Sequence, residues 1–178
     1  MRFYLKKNLD IKRLIFLAAL ALQAIILSII EASIPVTAGM PGIKPGLANI
    51  VTVATLIYFS FSDTIIIILI RCILSSLFTG GPVIFMFSMF GGILSAVIMW
   101  IMLKTMKNIF SLVGVGIAGS IAHNIGQIMA AWFVMSDATV MAYLPVLLLS
   151  GIFMGCFVGV CGTFLVKALK KLNLIENI

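Results

Sequence analysis

Of 178 residues, 63% are hydrophobic and only 10% charged, against roughly 25% charged in soluble domains, so the polar residues could not cover a water-facing globular surface. The net charge of +7 raises the question of nucleic acid. However, Arg2, Lys6, Lys7, Lys12 and Arg13, then Lys104 and Lys107, then Lys167, Lys170 and Lys171 fall in three places separated by long apolar runs. That distribution fits membrane topology rather than a phosphate backbone.

The first apolar run, about 14–34, comes directly after the basic N-terminal stretch. It has the outline of a signal peptide, but the chain beyond it is more membrane sequence, so an uncleaved first span is expected. Pro35, Pro41, Gly42, Pro45 and Gly46 then make a helix-hostile loop. Two short runs, 47–61 and 64–78, are separated only by Ser60, Ser62 and Asp63, and predict two short, tightly turned helices. Gly80, Gly81 and Pro82 form the next break. Spans at 83–103, 112–135 and 143–166 complete the chain, with Lys104 and Lys107 in one loop and Asp137 in the next. Residues 1–178 are thus expected to form a single integral membrane domain, an all-α, compact six-transmembrane-helix bundle.

With both termini in the cytoplasm, all ten clustered cations lie inside and the outer loops carry only Lys44. Gly151, Gly155 and Gly159 repeat at four-residue spacing on the sixth span, and Ala118, Ala122, Gly126 and Ala130 do so on the fifth. Such small-residue stripes let helix backbones approach closely.

Cys72, Cys156 and Cys161 lie inside apolar runs without C-x-x-C spacing, which points to packing rather than to disulfides or zinc. His123 is the only histidine, so a multi-histidine metal site is excluded. The acids Asp10, Glu31, Asp63, Asp137 and Glu176 are scattered, and no phosphate-binding G-x-x-x-x-G-K-[ST] loop occurs. No catalytic residues, metal site or cofactor are therefore expected.

Polar groups inside a membrane are costly and ask for a partner or a purpose. The candidates are Glu31 on span one, Lys44 in the Pro/Gly loop, Asn49 on span two, Arg71 and Ser75 on span three, and His123, Asn124 and Gln127 on span five. On the expected topology they lie between the midplane and the outer surface on several segments. Plainer readings stand beside a functional one: Arg71 paired to Glu31, His123, Asn124 and Gln127 as interhelical glue and Lys44 as a headgroup contact, or together the lining of an outward-opening pocket for something polar. The excess of cations there favours an anionic ligand.

The stretches Pro41-Gly-Ile-Lys-Pro-Gly-Leu-Ala-Asn-Ile, Phe87-Ser-Met-Phe-Gly-Gly and His123-Asn-Ile-Gly-Gln, together with Arg71, resemble a small membrane family labelled heptaprenyl diphosphate synthase component I, also called Gx transporter family proteins. The resemblance covers nearly the whole chain. That family is in turn similar to the substrate-binding S components of energy-coupling-factor transporters of the bacterial cytoplasmic membrane. The resemblance implies a six-helix subunit that binds a small anionic, vitamin-like or isoprenoid-like solute from outside. It also implies dependence on a transmembrane coupling subunit and ATPase subunits, with residues 40–47 as a lid. S components often carry an Ala-x-x-x-Ala pair on the first span for docking the coupling subunit. Here the nearest spacing is Ala24, Ser28 and Ala32, alongside Ala18 and Ala21. The synthase label itself implies an accessory role at most, since prenyl chain elongation needs aspartate-rich Mg²⁺ sites. A non-catalytic membrane scaffold for a prenyl diphosphate synthase or a redox complex is the alternative.

Overall fold

A computed structural model describes residues 11–33, 44–105 and 109–171. The basic residues Arg2, Lys6, Lys7 and Lys107, and most of the Pro/Gly loop, lie outside them. Every regular element among the described residues is helical: α1 (Ile11–Ser33), α2 (Asn49–Tyr58), α3 (Phe61–Thr79), α4 (Pro82–Thr105), α5 (Leu112–Met135), a 3-10 turn (Ala138–Tyr143) and α6 (Leu144–Lys171).

Five of these helices are long and apolar enough to cross a membrane, and the chain is a multi-pass membrane protein. The expected second span, 47–61, differs. Its helix α2 has 10 residues, about 15 Å of rise, against a hydrocarbon core of about 30 Å. Residues 44–48 before it are buried but not helical. Helix formation starts late because Pro45 lacks an N–H and Gly46 holds a positive φ of 94°, which favours glycine.

The α2–α3 turn is fixed by chemistry legible in the sequence. Ser60 Oγ accepts from Asp63 N at 3.2 Å, and Asp63 Oδ2 accepts from Ser60 N at 3.0 Å. This reciprocal capping box starts α3. Asp63 Oδ2 also meets Arg13 Nη2 at 2.6 Å, which ties the start of α1 to the same turn. At the far end of α3, Gly80 (φ 141°) and Gly81 (φ 84°) reverse the chain, and Pro82 takes the first position of α4, where its missing N–H costs nothing.

Leu20, Ala21, Ala24, Val51, Ala54, Tyr58, Phe59, Ile67 and Leu169 form one apolar cluster. Tyr58 also donates its hydroxyl to Val166 O at 2.7 Å. The first half of α1, the end of α2, the start of α3 and the end of α6 therefore share one end of the bundle. From Arg13 to Glu31, α1 rises about 27 Å, so Glu31 belongs to the opposite end.

Helix α5 lies between α4 and α6. A Cβ at Gly155 or Gly159 would overlap the Cα of Ile117 or Val113, so the α6 stripe rests directly on α5 backbone. The two stripes do not face one another: Gly126 points at α4, where a Cβ would come within 2.7 Å of Phe90 O. Ala24 and Ser28, at 1% and 2% exposure, are turned into the bundle, so of the Ala24, Ser28, Ala32 stripe only Ala32 is open to a partner. Phe78, Phe133, Phe153 and Phe164 are outward and exposed, as lipid solvation requires.

Gly159→Leu is expected to destabilise the protein by about 1–3 kcal/mol through overpacking, read as a lower thermal midpoint in detergent. Phe153→Leu, on the exposed face, should leave the midpoint nearly unchanged.

Candidate functional site

The backbone break before α2 creates the site. Inside lipid or packed helices, every N–H that leaves a helical ladder needs a partner. Here side chains of α1 and α5 supply them. Glu31 Oε1 accepts from Gly46 N and from Leu47 N, the latter at 3.0 Å. Gln127 Oε1 accepts from Lys44 N at 3.3 Å. Gly46 also leaves room: a Cβ there would meet Asn49 Nδ2 at 2.9 Å and His123 Cδ2 at 3.4 Å.

The Gln127 contact fixes the His123 ring. Because the Lys44 N–H can only donate, Gln127 presents its oxygen to it, and its Nε2 donates to His123 Nε2 at 3.1 Å. In the neutral ring the proton then sits on Nδ1. That atom is buried without a partner among the described residues.

Helix α4 enters through two adjacent glycines. A Cβ at Gly91 would lie 2.9 Å from His123 Nδ1, and one at Gly92 would lie 2.8 Å from Arg71 Nη2. The bare step lets polar groups of α3 and α5 reach over α4 from its two sides. Arg71 Nη1 donates to Ser28 Oγ at 3.3 Å, one turn before Glu31 on α1. Lys44 is buried at 5% exposure, with Nζ 3.4 Å from Thr79 Oγ1 at the end of α3. Ser75, one turn before Thr79, bonds only along its own helix, to Cys72 O at 3.5 Å.

Seven of the residues named from the sequence, Glu31, Lys44, Asn49, Arg71, Ser75, His123 and Gln127, thus belong to one connected buried region. Asn124 does not join it. One residue on from His123, it is rotated toward α6, where Nδ2 donates to Leu147 O at 2.6 Å and lies 2.9 Å from a Cβ position at Gly151. It holds α5 to α6. Nor does Arg71 pair with Glu31 at ion-pair distance: among the described residues the ion pair is Arg13 with Asp63.

Sequence alone did not assign Ser28, Thr79, Ser88, Ser120 or the two α4 glycines to this region, although Ser88, Gly91 and Gly92 stand in a motif that carries the family resemblance. Ser28 was legible in principle, lying one helical turn from Glu31 on the same face. Ser88 and Ser120 precede Gly91 and His123 by a turn, and their hydroxyls are buried and unpartnered, as are both amide atoms of Asn49 and Nε and Nη2 of Arg71. Leaving such a group unmade costs about 1–3 kcal/mol. Nε of Arg13 and Oδ1 of Asn124 are also unpartnered, away from this region.

Glu31→Ala should expose the Gly46 and Leu47 amides to faster hydrogen–deuterium exchange, by about 1–3 kcal/mol of lost protection. Glu31→Gln, which keeps an acceptor oxygen, should retain most of it.

No curated protein and no solved structure matches the chain. Residues 20–165 match the family described as heptaprenyl diphosphate synthase component I. That stretch runs from the middle of α1 to near the end of α6 and includes every side chain of the buried polar region, and the chain belongs to this family.

Proposed function

We propose that the chain is the solute-binding membrane subunit of an uptake transporter, comparable to the S components of energy-coupling-factor systems. The observation that carries this reading is the set of buried, unpartnered polar atoms on Asn49, Arg71, Ser88 and His123, assembled from α2, α3, α4 and α5. They lie beneath a segment held by side chains rather than by its own helix. In this reading the buried segment 44–58 is a sixth crossing, and both termini face the cytoplasm. The clustered basic residues support that orientation in the bacterial cytoplasmic membrane.

The bound solute would be small and anionic, since Lys44 and Arg71 outnumber Glu31 in the buried region. Energy would come from elsewhere, through a transmembrane coupling subunit and ATPase subunits, because the sequence has no nucleotide-binding loop of its own. With Ala21, Ala24 and Ser28 turned inward, Ala18, Ala19, Ala32 and Ser33 are the exposed small positions of α1 for such a contact.

The family description favours a second reading, a non-catalytic accessory to a prenyl diphosphate synthase. The chain's acids include no aspartate-rich cluster, so chain elongation itself would belong to a partner. Purification in mild detergent separates the two. Recovery of coupling and ATPase subunits is expected, together with a small molecule seen by native mass spectrometry and lost in Asn49→Ala and His123→Ala. Recovery of a prenyltransferase with no retained small molecule would overturn the uptake reading. Asn124→Ala should lower thermal stability without releasing the molecule.

A further inference from the structure

Arg71 offers more than its charge. A guanidinium is a planar fork whose Nε–H and neighbouring Nη2–H point the same way and match two oxygens of one carboxylate or phosphoryl group. In this fold the remaining nitrogen, Nη1, is held by Ser28 Oγ at 3.3 Å. Nε and Nη2 are the two atoms left buried and unpartnered. The residue is 3% exposed, so water at the surface does not serve them. Gly92 stands where any side chain would press on Nη2 at 2.8 Å. The arrangement holds one end of the fork and leaves the two nitrogens of its paired edge without a hydrogen-bond partner among the described residues.

Among the described residues no spare carboxylate closes that edge. Glu31 engages Oε1 with the Gly46 and Leu47 amides, and Lys44 shares the region with Arg71. Asp63 is engaged by Arg13, and exposed Asp137 caps Thr139 N at 2.9 Å. Residues 34–43, which lead into the site, contain no acid. Asp10 and Glu176 lie outside the described residues.

We infer that the Nε and Nη2 edge of Arg71 is an oxyanion subsite, taking a carboxylate or phosphoryl group of the ligand side-on, with Ser28 and Gly92 as the positions that aim it. This inference rests on reading the polar region as a solute site and adds its chemical class. Asn49, His123 Nδ1 and Ser88, beside it, are left for neutral hydrogen-bonding parts of the same ligand.

The full-length protein in phosphatidylcholine nanodiscs is titrated with acetate, inorganic phosphate and chloride, and the thermal midpoint is followed. Chloride is the control because a spherical ion gains nothing from a fork. Wild type is expected to prefer the two oxyanions over chloride. Arg71→Lys keeps the charge but loses the fork, and should reduce that preference about tenfold. Ser28→Ala should weaken the preference several-fold, and Ser28→Thr should restore it. An unchanged preference in Arg71→Lys, or none in wild type, overturns the inference. If Arg71→Lys does not fold, an unchanged preference in Ser28→Ala overturns it instead. Nanodiscs containing phosphatidylglycerol, without added oxyanion, identify the source. A full shift there that Arg71→Lys abolishes supports the fork and assigns it to a lipid headgroup. A fork-dependent preference in protein that recovers no coupling or ATPase subunit supports this subsite while removing the uptake reading.

Discussion

The structure depends on the satisfaction of three backbone amides. Lys44, Gly46 and Leu47 stand outside any helical ladder yet are buried among helices, where water cannot serve them. Glu31 from α1 and Gln127 from α5 accept their hydrogens. That bond set lets α2 begin late and remain short, and it brings Gly46 against Asn49 and His123. It also uses the oxygen of Gln127, which decides the orientation of the His123 ring. Glu31 and Gln127 look like ligand-binding groups in the sequence, but each is first a substitute for missing helix. Without those acceptors the break, and the site beneath it, would not form.

Much of the fold was legible because lipid imposes strong constraints on sequence. Helix α5 was expected at 112–135 and is found at Leu112–Met135; the other long helices differ at their ends by one to five residues, where capping and fraying decide. The capping box at Ser60 and Asp63 falls inside the thin break that hydropathy marks. Helix α2 was the exception. Apolar residues run unbroken from Leu47 to Phe59 apart from Asn49, Thr52 and Thr55, and hydropathy cannot distinguish a helix from buried irregular backbone held by distant side chains.

The site was half legible for a similar reason. Cost in a membrane identifies which polar residues need explaining, and seven of the eight named ones do gather. Direction is what that reasoning lacks. His123 and Asn124 are neighbours in sequence but about 100° apart around a helix, and only the packing of α4 and α6 tells which faces the polar region. Gly91 and Gly92 carry no chemistry of their own, so nothing in their identity marks them as the opening through which Arg71 and His123 approach.

The glycine contacts of α6 have a mechanical meaning as well. Gly155 and Gly159 seat against the main chain of Ile117 and Val113, and an axial slip by one residue would drive a side chain into each notch. Helices α5 and α6 therefore behave as a single stiff body. Helices α1 and α3 meet instead through side chains, Arg71 on Ser28 among them, and residues 44–48 are held by two polar side chains. Compliance is thus unequally divided. The C-terminal pair serves as the anvil, and on the uptake reading proposed above an opening toward Arg71 would come from the N-terminal elements giving way against it.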